Sequence, residues 1–109
     1  MMAEENFNQL TPAQTELLAL LAEECGEVVQ IVGKILRHGL KSHHPKDEDE
    51  TTNAELLAKE IGDLLIAADA VVAAQMGVTR DNITKAEERK VRSIQQYLHH
   101  ATIRQTWNR

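Results

Sequence analysis

Residues 17–39 read LLALLAEECGEVVQIVGKILRHG, and this stretch decides the fold. Apolar residues stand at positions 17, 18, 20, 21, 25, 28, 29, 32, 35 and 36, separated mainly by steps of three and four. That spacing lays a stripe along an α-helix. The pair Val28-Val29 does not alternate with polar residues, and its window is rich in Leu, Ala and Glu, so the helix reading stands against a strand. Upstream, Thr11-Pro12-Ala13-Gln14 has the form of a helix start. Thr11 caps, Pro12 fits the first helical position, and Gln14 reaches back to close a capping box. Gly39 is a natural stop. The first helix is expected from Pro12 to His38.

The same signals place two more helices. Thr52-Asn53-Ala54-Glu55 reads as a second capping box, and the helix behind it runs to about Gln75, before Gly77. Thr79 caps a third helix from Arg80 to about Ile103. Lys41 to Thr52 is a loop holding Ser42, His43, His44 and Pro45, then the acidic run Asp47 to Glu50. The expected fold class is all-α: an antiparallel bundle of three to four helices per protomer, completed by oligomerisation. Residues 11–103 form a single helical domain in this reading, residues 1–10 a flexible N-terminus and residues 104–109 a C-terminal tail.

Composition supports it. The chain has 109 residues and only three aromatics, Phe7, Tyr97 and Trp107, so its core rests on Leu, Ile, Val and Ala. A chain this short buries about 65% of its unfolded surface, which favours association. Both expected long helices carry apolar residues on more than one side, and a second copy would cover what three helices leave open. A homodimer or homotetramer is expected. The net charge of −5 argues against a nucleic-acid partner. No apolar run is long enough to span a membrane. Glu4 and Glu5 stand where a signal peptide carries Lys or Arg, and the single Cys25 forbids an intrachain disulfide, so a cytoplasmic location is expected.

The chemistry sits on the first two helices. Glu24 and Glu27 are three residues apart, as are Glu60 and Asp63, so each pair points to one side of its helix. Both pairs lie in strongly apolar surroundings, with Leu20, Ile31, Leu56 and Ala67 in nearly the same directions. Four carboxylates converging on a helical core repel one another and call for a cation between them. Oxygen ligands without Cys or His select Mg²⁺, with Mn²⁺ as a substitute. Di-iron bundles use Glu-x-x-His at this spacing, and here the third position is Glu or Asp.

Beyond Glu27, the same stripe passes through Ile31, Lys34 and His38, with Arg37 and Lys41 close by. A cation row beside a metal cluster suits a polyphosphate. Several other features carry less. Gly26 and Gly62 lie on the far side from the carboxylates and suit a close helix approach. Asp47 to Glu50 opens like a calcium loop but has Thr52 and Ala58 where Gly and Glu belong. His43-His44 and His99-His100 lack zinc spacing and read as surface histidines. Cys25 reads as a small core residue.

Glu23-Glu24-x-x-Glu27 followed by Glu60-x-x-Asp63 resembles the signature of the all-α nucleoside triphosphate pyrophosphohydrolases, the MazG-like superfamily, which also includes dimeric dUTPases and dCTPase-like enzymes. Residues 23–65 carry most of the resemblance. Within them, Lys34-x-x-Arg37-x-Gly39 and Asn53-Ala54-Glu55 are similar to short MazG-like proteins of phages and prophages. The 32 residues between Glu27 and Glu60 form a longer gap than many members have, and the loop from His43 to Thr52 accounts for it. The resemblance implies cleavage of a nucleoside triphosphate between its α and β phosphates, with Mg²⁺ held by Glu24, Glu27, Glu60 and Asp63. It also implies dimers or tetramers. On this reading Glu27, or Glu24, accepts the proton of the attacking water, and Lys34, Arg37 and His38 bind phosphates. Lys90, Tyr97 or Trp107 would reach the site from a second subunit. The competing readings are a non-catalytic helical module that binds metal or nucleotide, and another metal-dependent phosphohydrolase.

Overall fold

A computed structural model describes residues 7–103. The chain is all-α, with three helices and no strand among the described residues: α1 (Pro12–His38), α2 (Asn53–Ala73) and α3 (Arg80–Ile94). A single 3₁₀ turn, Gln95–Tyr97, follows α3. Residues up to Met76 form one compact unit and residues from Gly77 another.

In the first unit α1 and α2 pack as an antiparallel hairpin. The end of α1 meets the start of α2, where the Asn53 side-chain amide donates to the Gly39 carbonyl at 3.1 Å. Further along, Glu24 and Glu27 of α1 lie beside Glu60 and Asp63 of α2. The helix starts follow from their capping residues. Thr11 accepts from the Gln14 amide while the Gln14 side chain accepts from the Thr11 amide, a complete capping box. At α2 only half of the expected box forms. Thr52 accepts from the Glu55 amide, but the Glu55 carboxylate takes the Thr52 hydroxyl at 3.2 Å instead of reaching the backbone. Gly39 ends α1 with φ 91°, a conformation in which a β-carbon is strained.

The seam between the helices is small. Ile31, Ala67 and Val71 are buried, at 4%, 1% and 2% exposure. Leu56 is half-buried, and Leu20 is more exposed than its stripe predicts. Counting 100° per residue, Glu24 and Glu27 stand within about 40° of Ile31, and Glu60 and Asp63 within about 40° of Ala67. The carboxylates thus share the inward faces with the core. Cys25 is exposed, not a core residue, because it lies about 120° around α1 from Ile31. Val29, Val32 and Leu36 share that outer side and are exposed with it, as are Ile61, Leu65 and Ile66 on α2. A β-carbon on Gly26 or Gly62 would meet nothing within 4 Å, so neither glycine serves a close approach among the described residues.

The second unit contains α3, capped by Thr79, whose hydroxyl accepts from the Asn82 amide. It is shorter than its periodicity predicts. Leu98 turns to extended backbone, and the Gln95 side chain folds over the segment beyond, donating to the Ala101 carbonyl and accepting from the Ile103 amide. Trp107 and the tail expected over 104–109 lie outside the described residues, as do the first six residues of the expected flexible N-terminus.

Candidate metal centre

Each of Glu24, Glu27, Glu60 and Asp63 offers one carboxylate oxygen, and these four atoms lie within 4.8 Å of one another. All four residues are half-buried. Helical spacing within each pair and antiparallel pairing between the helices are together sufficient to produce the cluster. Two of its oxygens, Glu24 Oε2 and Glu60 Oε2, are buried without a hydrogen-bond partner. The Glu60 side chain is only 16% exposed. Such orphaned acceptors persist where something else satisfies them.

The electrostatics carry the same sign. Glu27 is pushed up from an ordinary 4.5 to about 7. Its hydrogen bond with Glu60 is the main cause, followed by the charges of Glu60 and Glu24. Without a cation, the neighbouring carboxylates favour the protonated form of Glu27. A divalent cation fits the donor set: carboxylate oxygens bind Mg²⁺ at about 2.1 Å, so opposed ligands stand about 4.2 Å apart, within the spread of this cluster.

Lys59 is a neighbour that its sequence position did not single out. Its ammonium lies 2.8 Å from Asp63 and 3.5 Å from Glu60, and the Asp63 contact raises its pKa. The signal was present as the four-residue spacing of Lys59 and Asp63. Glu23 points to solvent and adds only like charge to Glu27.

One cavity adjoins the cluster, and a second shares two lining residues with the first. The first, of about 380 Å³, is lined by Glu27, Gln30, Ile31, Lys34, Leu56, Lys59 and Glu60. Lys34 and Leu56 also line the second, of about 320 Å³, together with Arg37, His38, Ser42, His43, His44, Pro45 and Asn53. The cation row on α1 therefore does border a cavity. The histidines at 43 and 44, read as plain surface residues, line it too, and His43 is half-buried. Lys90 is exposed on α3 in the second unit.

The MazG nucleotide pyrophosphohydrolase domain matches residues 13–93. The chain belongs to that family. The match covers well over half of the sequence and includes all four clustered carboxylates and the loop between α1 and α2. No curated protein and no solved structure matches. MazG domains are all-α and generally use a divalent metal, and the acidic cluster is the place in this member that suits one. No helix among the described residues is long and apolar enough to cross a membrane.

Proposed function

We propose that this MazG-family chain is a Mg²⁺-dependent pyrophosphohydrolase that cleaves a nucleoside or deoxynucleoside triphosphate to the monophosphate and pyrophosphate. One observation carries the reading. Four carboxylates from two helices converge with two buried, unpartnered oxygens, beside a cavity that Lys34 also lines. Glu24, Glu27, Glu60 and Asp63 hold the ion, for which Mn²⁺ substitutes. When bound, it supplies Lewis acidity and a water of lowered pKa. Glu27 accepts the proton of the attacking water, since it is the carboxylate nearest Lys34 along α1. Water adds across the α–β anhydride, the bridging oxygen leaves with the β phosphate, and Lys34, Arg37 and His38 neutralise the departing charge.

The exposed stripe of Cys25, Val29, Val32 and Leu36 on α1, with Ile61, Leu65 and Ile66 on α2, supports a homodimer or homotetramer built on these helices. Lys90 then serves the site from a neighbouring subunit. The cytoplasm, where the substrate is abundant, is the proposed location. Light scattering tests the assembly: an active species of the 12.2 kDa monomer mass would refute it.

The function is tested with a panel of natural and modified triphosphates, assayed for pyrophosphate release with Mg²⁺ and Mn²⁺. Release from at least one substrate, lost in Glu60→Ala, is the expected result. No release from any would leave a non-catalytic module, and unchanged release by Glu60→Ala would refute the carboxylate cluster as the site.

A further inference from the structure

We infer that the loop between α1 and α2 completes a pocket for the terminal pyrophosphoryl group of the substrate, with His43 and His44 as the residues that select a triphosphate tail. The inference rests on the pyrophosphohydrolase reading and assigns a role to the stretch that lengthens this chain.

The loop is built, not slack. Its two ends are joined by hydrogen bonds from the Asn53 amide to the Ser42 carbonyl and from the Ala54 amide to the Leu40 carbonyl, at 2.8 and 2.9 Å. His43 and Thr52 face each other in an antiparallel bridge. Asp47 accepts from the amides of Asp49 and Thr51, which holds its carboxyl below the ordinary range. This frame fixes the histidines. His44 Nδ1 accepts from the Lys46 amide at 3.1 Å, so its Nε2 carries the ring proton and is a donor. His43 Nδ1 donates to the His44 carbonyl at 3.1 Å, which leaves Nε2 as a second polar atom.

The cavity these rings line is also lined by Lys34, Arg37 and His38, and by no carboxylate among the described residues. The lining sets Lys34 and Arg37 beside the His44 Nε2 donor, a concentration of positive charge that suits an anion. A pyrophosphoryl group matches it. Lys34 and Leu56 border both cavities, so a substrate whose reacting phosphate lies at the carboxylates extends its tail into this one.

The experiment uses His43→Asn with His44→Asn. Asparagine keeps a donor or acceptor near the Nδ1 position, so the loop frame is retained while both Nε2 atoms are lost. His99→Ala with His100→Ala is the control, removing an exposed adjacent pair that lines neither cavity. Pyrophosphate binding is measured by calorimetry with Mg²⁺ and with chelator, beside KM for a triphosphate and for the matching diphosphate. Thermal melting checks that each variant is folded, and the single Asn variants replace the pair if it is not. The expected result is pyrophosphate binding weakened about tenfold or more, with a similar loss of preference for triphosphate over diphosphate. Unchanged pyrophosphate binding and unchanged preference would overturn the inference, as would a change confined to base preference. If the wild type hydrolyses nothing yet binds pyrophosphate through these histidines, the pocket stands and the pyrophosphohydrolase reading falls. Hydrolysis with histidine-independent pyrophosphate binding has the opposite meaning.

Discussion

Glu60→Gln separates a metal centre from an acidic patch without reference to any substrate. In chelator, the wild type carries two buried carboxylate oxygens without partners, Glu24 Oε2 and Glu60 Oε2. Glutamine keeps the volume, removes one of these acceptors, and places an amide donor beside Glu27 and Glu24. Relief of one orphaned buried group is worth about 1–3 kcal/mol. For a chain of this size that raises the melting temperature by about 4–12 °C, at roughly 4 °C per kcal/mol. In Mg²⁺ at a hundred times its dissociation constant, the wild type gains about 2.7 kcal/mol, or about 11 °C. Removing a ligand weakens affinity at least as much as the 10–100-fold typical of outer-shell changes, so near the upper figure the variant gains under about 2 °C. The variant therefore melts higher than the wild type in chelator, and the two converge in Mg²⁺. Differential scanning calorimetry in the two buffers reads both effects. A variant that melts below the wild type in chelator, or that responds to Mg²⁺ as the wild type does, would refute the reasoning.

Three further outcomes follow from the same geometry. In chelator, Glu27 keeps its proton up to about pH 7 in the folded chain but loses it near 4.5 when unfolded. Stability should therefore fall as pH rises from 4.5 to 7 and level off above, which urea melts across that range will show. Asp47 shifts the opposite way and is already ionised throughout that window, so its contribution is lost only at lower pH. Lys59→Gln removes the ammonium that competes for the Asp63 and Glu60 oxygens, and should lower by several-fold the Mg²⁺ concentration needed for half-maximal pyrophosphate release. Asn53→Ala removes a side chain that is only 6% exposed together with its hydrogen bond to the Gly39 carbonyl, and should cost about 0.5–1.5 kcal/mol in thermal unfolding, measured with and without metal.

Local signals made much of this legible. Thr11, Thr52 and Thr79 set the helix starts within one residue, because capping depends only on near neighbours. The carboxylate cluster was legible because helical periodicity fixes direction within each pair, and a short loop leaves antiparallel pairing as the simplest way to join the pairs. Cys25 misled because an apolar residue beside a stripe looks like part of it, and the narrow seam of a two-helix hairpin covers only the centre. The end of α3 was missed because Ile94, Leu98 and Ala101 keep a helical spacing past the point where Gln95 captures the backbone. The setting of His43 and His44 was hidden for a different reason. It depends on Ser42, Asp47, Thr51 and Asn53 acting together over twelve residues, and no single spacing encodes that.

The clasp formed by Leu40, Ser42, Asn53 and Ala54 divides the hairpin into two regions with separate freedom to change. On the helix side, a shift of one residue would turn a carboxylate out of the cluster, so length is fixed there. On the loop side, chain can be added or lost between the clasped ends without moving either helix. Each doubling of loop length costs only about 0.6 kcal/mol of closure entropy. The proposed metal centre and the proposed wall for the substrate's tail are thus encoded in adjacent but independent segments. A family built on this hairpin can revise what it accepts by insertion and deletion alone, while the four carboxylates remain where the helices put them.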